Sequence, residues 1–257
     1  MSSEPATRLR IFLIEFALAL GGFAIGTGEF AIMGLMPNVS QDLGVTEPQV
    51  GHLIRAYALG VVVGAPLLAV IGARFFRRQL LIWLMGFYAV GNLASALAAD
   101  YTGVMIARFV AGLPHGAYFG VACLVAASLV PVQQRAKAVS RVMMGLTLAL
   151  LLGNPMAAWM GQSLDWRYVY MFVGLISVLT LTMVISVLPT DPQEQRKGAF
   201  SEIRAFNRAG IWFALAIGAI GFSGMFAVFS YLAPTLLEVT QVEEYWIPLA
   251  LAVFGLG

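Results

Sequence analysis

The stretch Gly26–Pro37, which reads GTGEFAIMGLMP, places the carboxylate of Glu29 inside an apolar run that extends from 11 to 36. At about 1.5 Å per residue, a helix of this length crosses a bilayer with some tilt. An ionised carboxylate in hydrocarbon costs roughly several kcal/mol, so Glu29 needs a partner, water or a proton. Glu29 is therefore either a structural carboxylate satisfied by a neighbouring helix or a protonation or substrate site that faces a cavity.

The composition indicates a polytopic membrane protein. The 257 residues are 60% hydrophobic and 11% charged, and the mean hydropathy is +0.85. A soluble domain of this length does not have a surface so poor in charge. The one cysteine, Cys123, excludes an internal disulfide, and the two histidines without a carboxylate cluster argue against a catalytic metal site.

The apolar runs predict an all-α fold, because a backbone that spans a membrane must satisfy its own hydrogen bonds and these runs are too long for barrel strands. The expected helices are 11–36, 48–73, 79–99, 103–130, 138–160, 167–188 and 210–237, with an eighth from about 246.

The basic residues predict the orientation. Twelve of the 15 Lys and Arg residues fall on one side of these spans. Loops with excess Lys and Arg stay in the cytoplasm, so the N-terminus is expected to be cytoplasmic. The twelve are Arg8, Arg10, Arg74, Arg77, Arg78, Arg135, Lys137, Arg141, Arg196, Lys197, Arg204 and Arg208.

An internal repeat predicts the domain organisation. The segment Gly28–Ile32 recurs as Gly224–Val228 at an offset of 196 residues. Two copies of that period need about 390 residues, more than the chain has. We therefore expect a six-helix bundle over 1–188, a cytoplasmic linker over 189–209 with an amphipathic segment at 199–207, and the incomplete start of a second bundle over 210–257.

Two arginines lie inside spans at the same expected depth as Glu29. Counted from the nearer helix ends, Glu29, Arg55 and Arg108 each fall about 10 Å below the outer surface. Equal depth allows them to pair. One glutamate with two arginines predicts either a carboxylate that is kept ionised or an arginine left free for an anion. The alternative is a structural ion pair that fastens the external end.

His115 lies in the segment Gly112–Gly116, GLPHG, where a proline removes a backbone hydrogen bond. This pattern predicts a local helix break that lines a cavity, with a satisfied structural histidine as the alternative. Four aromatic residues are candidates to stack a substrate, although ordinary packing explains each of them equally well. They are Tyr118, Phe119, Phe229 and Tyr231.

Several motifs together resemble one family. They are Gly26–Phe30 with Gly34–Pro37 in the first helix, Arg108–Gly116 in the fourth, Gly153–Pro155 with Trp166 and Arg167 around the fifth, and Phe229–Leu232 with Pro234 in the seventh. With them, the chain resembles the major facilitator superfamily, specifically its drug:proton antiporter-1 branch of arabinose-efflux-permease-like proteins.

This resemblance implies proton-coupled efflux of sugars, nucleosides or drug-like molecules by alternating access across the bacterial cytoplasmic membrane. It assigns Glu29 and Arg108 to proton coupling, and Arg55 joins them by its depth. It also implies conformational motifs at Arg74, Arg77, Arg78, Gly153 and Pro155. The family's loop motif between the second and third helices has an aspartate where this chain has Ala73, which weakens the usual charge lock.

The expected partners are a small-molecule substrate, protons, the lipid bilayer and the missing C-terminal bundle. We expect no cofactor, metal, nucleic acid or enzymatic activity. The alternative hypothesis is a truncated, non-transporting membrane fragment with a structural or interaction role, because a facilitator cavity needs both bundles.

Overall fold

The computed structural model describes residues 8–190 and 209–256, and these are almost entirely helical with no strand among them. Six spans form the first bundle, and three of them are interrupted or continued by a short helix. Their helices are α1 (Arg8–Gly34), α2 (Met36–Leu43), α3 (Glu47–Gly72), α4 (Arg77–Leu97), α5 (Tyr101–Gly112), α6 (His115–Ser128), α7 (Arg135–Leu148), α8 (Asn154–Ser163) and α9 (Trp166–Val187).

The second unit begins with a seventh span. It consists of α10 (Ala209–Ser230), α11 (Leu232–Glu238) and α12 (Ile247–Leu256). Seven helical stretches of the described chain are long and apolar enough to cross a membrane, and a shorter apolar helix follows at Glu244–Leu256. The predicted all-α fold of seven spans and the start of an eighth is confirmed. The amphipathic segment expected at 199–207 lies outside the described residues.

The sequence repeat is also a repeat of structure. Helix α1 ends at Gly34 and α2 begins at Met36, while α10 ends at Ser230 and α11 begins at Leu232. Both pairs of positions are separated by 196 residues, which is the offset of the repeated sequence. The two units therefore begin with the same broken helix.

We name the two ends of the bundle by a residue that each contains. The Asp42 end holds α2 and the start of α3, and the Arg78 end holds the starts of α1 and α4. Helix α10 meets the first bundle near the Asp42 end, where Phe226 and Phe229 each lie 5.9 Å from the ring of Phe30. Phe229 is the one buried residue of α10, so the rest of this helix stands away from the first bundle.

Glycines allow α3 and α5 to cross closely. A Cβ atom at Gly60 would collide with the carbonyl oxygen of Phe109, and one at Gly112 would collide with that of Tyr57. Small residues at a helix crossing let the two backbones approach. This crossing brings Tyr57 beside the part of α5 that carries Arg108.

The fifth span contains a π-helical turn, Ala149–Gly153, between α7 and α8. Pro155 follows it and has no N–H to donate, which is a common cause of such irregular turns. A Cβ at Gly255 of α12 would lie 2.8 Å from the carbonyl oxygen of Leu150, so the second unit packs directly on this turn. A conformational role for Gly153 and Pro155 stays a prediction.

The arginine cluster after α3 contacts the end of α9. The guanidinium of Arg78 donates to the carbonyl oxygen of Ile185 at 2.7 Å and to the hydroxyl of Thr190 at 3.4 Å. Cations near the last carbonyls of a helix are favourable. Arg74 is exposed. The switching role expected for Arg74, Arg77 and Arg78 stays a prediction.

The close crossing predicts that Gly60→Ala destabilises the protein. The added methyl must displace the backbone of α5, and overpacking of this kind typically costs about 1–3 kcal/mol. Thermal unfolding in detergent should show a lower midpoint. Gly120→Ala is the matched control, because a Cβ there meets no atom within 4 Å. Equal midpoints for the two variants would contradict the proposed crossing.

Candidate functional site

Arg108 is a fully buried cation in the middle of the first bundle. Its side chain has 0% exposure, and its guanidinium carbon lies 4.4 Å from the ring centre of Tyr57 and 5.1 Å from that of Tyr170. A guanidinium over an aromatic face is attracted by the ring quadrupole, and more strongly when water is excluded. The two tyrosines therefore hold Arg108 from two sides.

The guanidinium of Arg108 lacks hydrogen bonds. Its Nε, NH1 and NH2 atoms have no hydrogen-bond partner among the described residues. A buried charge without such partners is costly, so aromatic faces alone do not compensate it. Glu29 interacts with Arg108 electrostatically but forms no ion pair with it. The electrostatic energy of the buried Arg108 guanidinium therefore depends on the charges of nearby groups.

Glu29 lies beside His115 instead. Its Oε2 atom is 3.9 Å from His115 Nδ1, and the same Nδ1 is 3.0 Å from the hydroxyl oxygen of Tyr57. The Glu29–His115 distance is too long for a hydrogen bond but suits an ion pair when the imidazole is protonated. The side chains of Glu29 and His115 are 20% and 15% exposed, whereas Tyr57 is buried. The pair is therefore accessible where Arg108 is not.

This arrangement can hold a proton next to a fixed positive charge. Carboxylate and imidazole both exchange protons, and Tyr57 connects them to the aromatic enclosure of Arg108. The predicted helix break supports the geometry, because α5 ends at Gly112 and α6 begins at His115 immediately after Pro114. The break predicted in the fourth span is confirmed.

The structure does not bring Arg55 into this cluster. Arg55 is exposed, and it forms no ion pair with any residue in 8–190 or 209–256. Helix α3 buries Leu53, Ala56, Tyr57 and Gly60. Position 55 falls on a different face, since residues two apart on a helix do not share one. Equal depth did not determine which way the side chain points.

Two of the four aromatic candidates are packing residues. Tyr118 is fully buried and donates to the carbonyl oxygen of Leu18 at 2.8 Å, which ties α6 to α1. Phe229 is also buried and stacks on Phe254 at 4.6 Å. Neither reaches an accessible surface, so the structure does not support substrate contact by them.

The other two aromatic candidates are more accessible. The ring of Phe119 lies 5.3 Å from that of His115. Tyr231 is 42% exposed and lines a cavity of about 450 Å³ between α3 and α11. Their role in binding substrate stays a prediction.

Comparison with known proteins places this architecture in a family. The Major Facilitator Superfamily model matches residues 18–257. The chain belongs to the major facilitator superfamily. It is 37% identical over 241 residues to the inner membrane transport protein YdhP of Escherichia coli K12, covering 94% of this chain and 62% of that protein.

Other relatives carry transport or resistance names. The putative transporter AraJ of E. coli K12 is 34% identical over 245 residues, which cover 95% of this chain and 62% of AraJ. A chloramphenicol resistance protein of Streptomyces lividans is 31% identical over 249 residues, covering 94% and 61%. The chain thus spans about 62% of the length of the first curated relatives that it matches.

Solved structures show the same fold. A bacterial homologue of the human lysosomal transporter Spinster, in an inward-facing and unoccupied conformation, superposes with a TM-score of 0.73. The sequence identity is 17%, and the match covers 99% of this chain and 60% of that one. With its seven apolar spans, this member of the superfamily is a multi-pass membrane protein.

Sequence reasoning missed a buried carboxylate in this facilitator chain. Glu15 of α1 is 2% exposed, and its Oε2 atom accepts from Arg141 of α7 at 2.7 Å. A usable signal existed, because Glu15 lies in the same apolar run as Glu29 and 14 residues before it. Residues seven apart return to nearly the same helix face, so both carboxylates lie along one line of α1.

A charged clamp closes the Asp42 end of the first bundle. Asp42 Oδ2 accepts from Arg167 at 2.5 Å and from the indole of Trp166 at 3.1 Å. The Arg167 guanidinium also lies 4.4 Å from the Trp166 ring centre. Partial burial tends to raise the pKa of Asp42, but the bonds from Arg167 and Trp166 and the charge of Arg167 outweigh it and lower that pKa below 3.8. The clamp joins α2 to α9.

The clamp predicts a pH-dependent stability difference. A lowered pKa in the folded state means that Asp42 contributes stability above its ordinary pKa, and this contribution is lost as the pH falls through the folded-state value. Asp42→Asn should lower the thermal midpoint at about pH 7, and the difference from the parent should shrink as the pH falls below the ordinary pKa of an aspartate. Because the side chain is 42% exposed, the effect at neutral pH should be small. A difference that grows on acidification would contradict the clamp.

Proposed function

We propose that this chain is part of a secondary active transporter that couples proton movement to efflux of a small organic solute. The observation that carries the proposal is the partly exposed Glu29–His115 pair beside the buried guanidinium of Arg108, which has no hydrogen-bond partner among the described residues. Ionisable groups inside a membrane span are by default candidates for proton or substrate sites. The superfamily membership and the transport names of the relatives support the same reading.

The coupling proposed here is electrostatic. When Glu29 is ionised, its negative charge offsets that of Arg108 in a region of low dielectric constant. When Glu29 takes up a proton, Arg108 loses this compensation. Conformations that bring water or another negative charge to Arg108 are therefore favoured more strongly when Glu29 is protonated than when it is ionised. A proton shifts a conformational equilibrium only through such a difference between states.

The repeated broken helix supports alternating access. The two units begin with the same broken helix at an offset of 196 residues, and transporters built from repeated bundles move one bundle against the other around a central site. The second unit contacts the first at Phe30 through Phe226 and Phe229, and at the π-helical turn through Gly255.

The substrate class proposed is a small sugar, nucleoside or drug-like molecule. The relatives include a chloramphenicol resistance protein and a probable sugar efflux transporter of Helicobacter acinonychis. Phe119 beside His115 offers an aromatic face next to the proton site. The alternative of a non-transporting structural fragment has no supporting observation in the described residues or in the comparisons.

The central prediction concerns Glu29→Gln. The amide keeps the size of the side chain but binds no proton, so transport driven by a pH gradient should fall by roughly tenfold or more. The measurement is export of radiolabelled chloramphenicol or arabinose from cells, and in proteoliposomes with and without an imposed pH gradient. His115→Gln should shift the pH profile of the same transport.

Glu243→Gln is the matched control, because Glu243 is an exposed carboxylate in the second unit and lies outside both the Glu29–His115 pair and the cavity that Tyr231 lines. It should transport as the parent does. The coupling proposal is wrong if Glu29→Gln keeps both gradient-driven transport and its pH profile. Transport by neither the parent nor any variant, for either probe, would contradict the substrate class.

Tyr57→Phe separates the two functions of this tyrosine. Phenylalanine keeps an aromatic face for Arg108 but removes the hydroxyl that contacts His115 Nδ1. We expect a folded protein with an unchanged thermal midpoint within a few degrees and a displaced pH profile of transport. An unchanged pH profile would show that Tyr57 serves Arg108 alone.

A further inference from the structure

Tyr88 of α4 is attached to the backbone of the helix that carries Glu29. Its side chain is fully buried, and its hydroxyl donates to the carbonyl oxygens of Ile25 at 3.1 Å and of Ala24 at 3.3 Å. Both carbonyls belong to α1, which is one continuous helix through this region. A side chain of one span therefore holds a turn of another.

The carbonyl of Ile25 is also the helical partner of Glu29. In an α-helix each N–H donates to the carbonyl four residues earlier, so the N–H of Glu29 points at the oxygen that the Tyr88 hydroxyl contacts. A carbonyl oxygen has two lone pairs and can accept both hydrogen bonds. The contact from Tyr88 therefore acts on the turn of α1 from which the Glu29 side chain projects.

A glycine makes room for this contact. A Cβ atom at Gly28 would lie 2.2 Å from the Tyr88 hydroxyl oxygen, whereas the next nearest atoms, in Asn92 and Val173, are 3.1 Å from that position. Among the described residues, the hydroxyl is thus the group that a side chain at position 28 would have to displace.

Tyr88 also reaches the other member of the Glu29–His115 pair. Its hydroxyl interacts with that of Tyr57, and the Tyr57 hydroxyl lies 3.0 Å from His115 Nδ1. Tyr88 is therefore connected to Glu29 through a backbone turn of α1 and to His115 through Tyr57.

Ionisable and charged groups from several helices interact with Glu29. Those of α3, α4, α5 and α6 are Tyr57, Tyr88, Arg108 and His115. Tyr170 of α9 lies against Arg108, and Arg141 of α7 is paired with Glu15 instead. A small movement of Glu29 changes its distances to the guanidinium and to the imidazole together, and with them the free energy of its ionised form.

We propose that Tyr88 is a positioning residue for the Glu29–His115 pair. Its hydroxyl holds the Ile25 turn of α1 and the Tyr57 hydroxyl together, and this keeps the carboxylate and the imidazole at their observed spacing. Tyr88 acts through these two contacts and binds no substrate itself. The inference rests on the proposed proton coupling, and the test below distinguishes failure of the one from failure of the other.

The first variant is Tyr88→Phe, which keeps the ring and removes the hydroxyl. The variant should fold, because the two α1 carbonyls keep their helical N–H partners. Two quantities are measured, namely the pH at half-maximal gradient-driven transport and the pH at which the infrared C=O band of Glu29 titrates. Both should shift by about half a unit or more, which corresponds to the loss of one hydrogen bond. The Glu29 band is the one that is absent from Glu29→Gln.

Tyr118→Phe is the matched control. Tyr118 is also fully buried, donates to a carbonyl of α1, that of Leu18, at 2.8 Å, and has its hydroxyl against a glycine, Gly21. Leu18 precedes Glu29 by 11 residues, which is about 16 Å along the helix. The control should change the thermal midpoint about as much as Tyr88→Phe does, and it should keep the parent's pH profile and carboxyl band.

A size exchange tests the contact itself. Gly28→Ala should lower the thermal midpoint and displace the pH profile, because the added methyl pushes the Tyr88 hydroxyl away. The double variant Gly28→Ala/Tyr88→Phe removes the conflicting oxygen. It should recover most of the lost midpoint, while its pH profile stays displaced as in Tyr88→Phe.

Positioning by Tyr88 is overturned if Tyr88→Phe keeps the parent's pH profile and Glu29 band, or if Tyr118→Phe shifts them equally. Equal midpoints for Gly28→Ala with and without Tyr88→Phe would overturn it as well. Proton binding by Glu29 would still stand after either result. If no carboxyl band is lost in Glu29→Gln, proton binding by Glu29 is wrong, and its positioning by Tyr88 is wrong with it.

Discussion

The burial of Arg108 is the constraint on which the central part of this structure depends. Its guanidinium lies between Tyr57 and Tyr170 without a hydrogen bond to any described side chain or carbonyl. The close crossing at Gly60 and Gly112 brings the Tyr57 ring there, and the break at Pro114 brings His115 to the same tyrosine. Because only aromatic faces hold this buried charge, its free energy depends on the charge of each ionisable group nearby. Glu29 is the carboxylate that interacts with it, at a position that water can reach.

The two units of the superfamily chain share a backbone pattern but differ in charge. The broken helix recurs after 196 residues, yet Met225 stands where the first unit has Glu29. The fold therefore does not require a carboxylate at this position. A charge that the shared architecture does not need favours a specific role in the first unit, and we propose that this role is proton binding beside His115.

Much of the fold followed from the sequence, because long apolar runs, loop charges and helix-breaking residues act locally. The spans, the break at Gly112–Gly116 and the position of Glu29 and Arg108 inside apolar spans were all predictable. Side-chain direction was not. Arg55 has the right depth but the wrong helix face, and Tyr118 has the right chemistry but is fully buried against α1. The burial of Glu15 was not predictable, because a single carboxylate near a helix end is usually a surface residue.

The most direct test of the account is whether Glu29 binds and releases a proton in a manner that depends on His115. Infrared difference spectroscopy of the purified protein, recorded as the pH is varied, detects the C=O stretch of a protonated carboxyl group. We predict a titrating carboxyl band that disappears in Glu29→Gln and titrates at a different pH in His115→Gln. A band pattern that is the same in the parent and in Glu29→Gln would contradict the account.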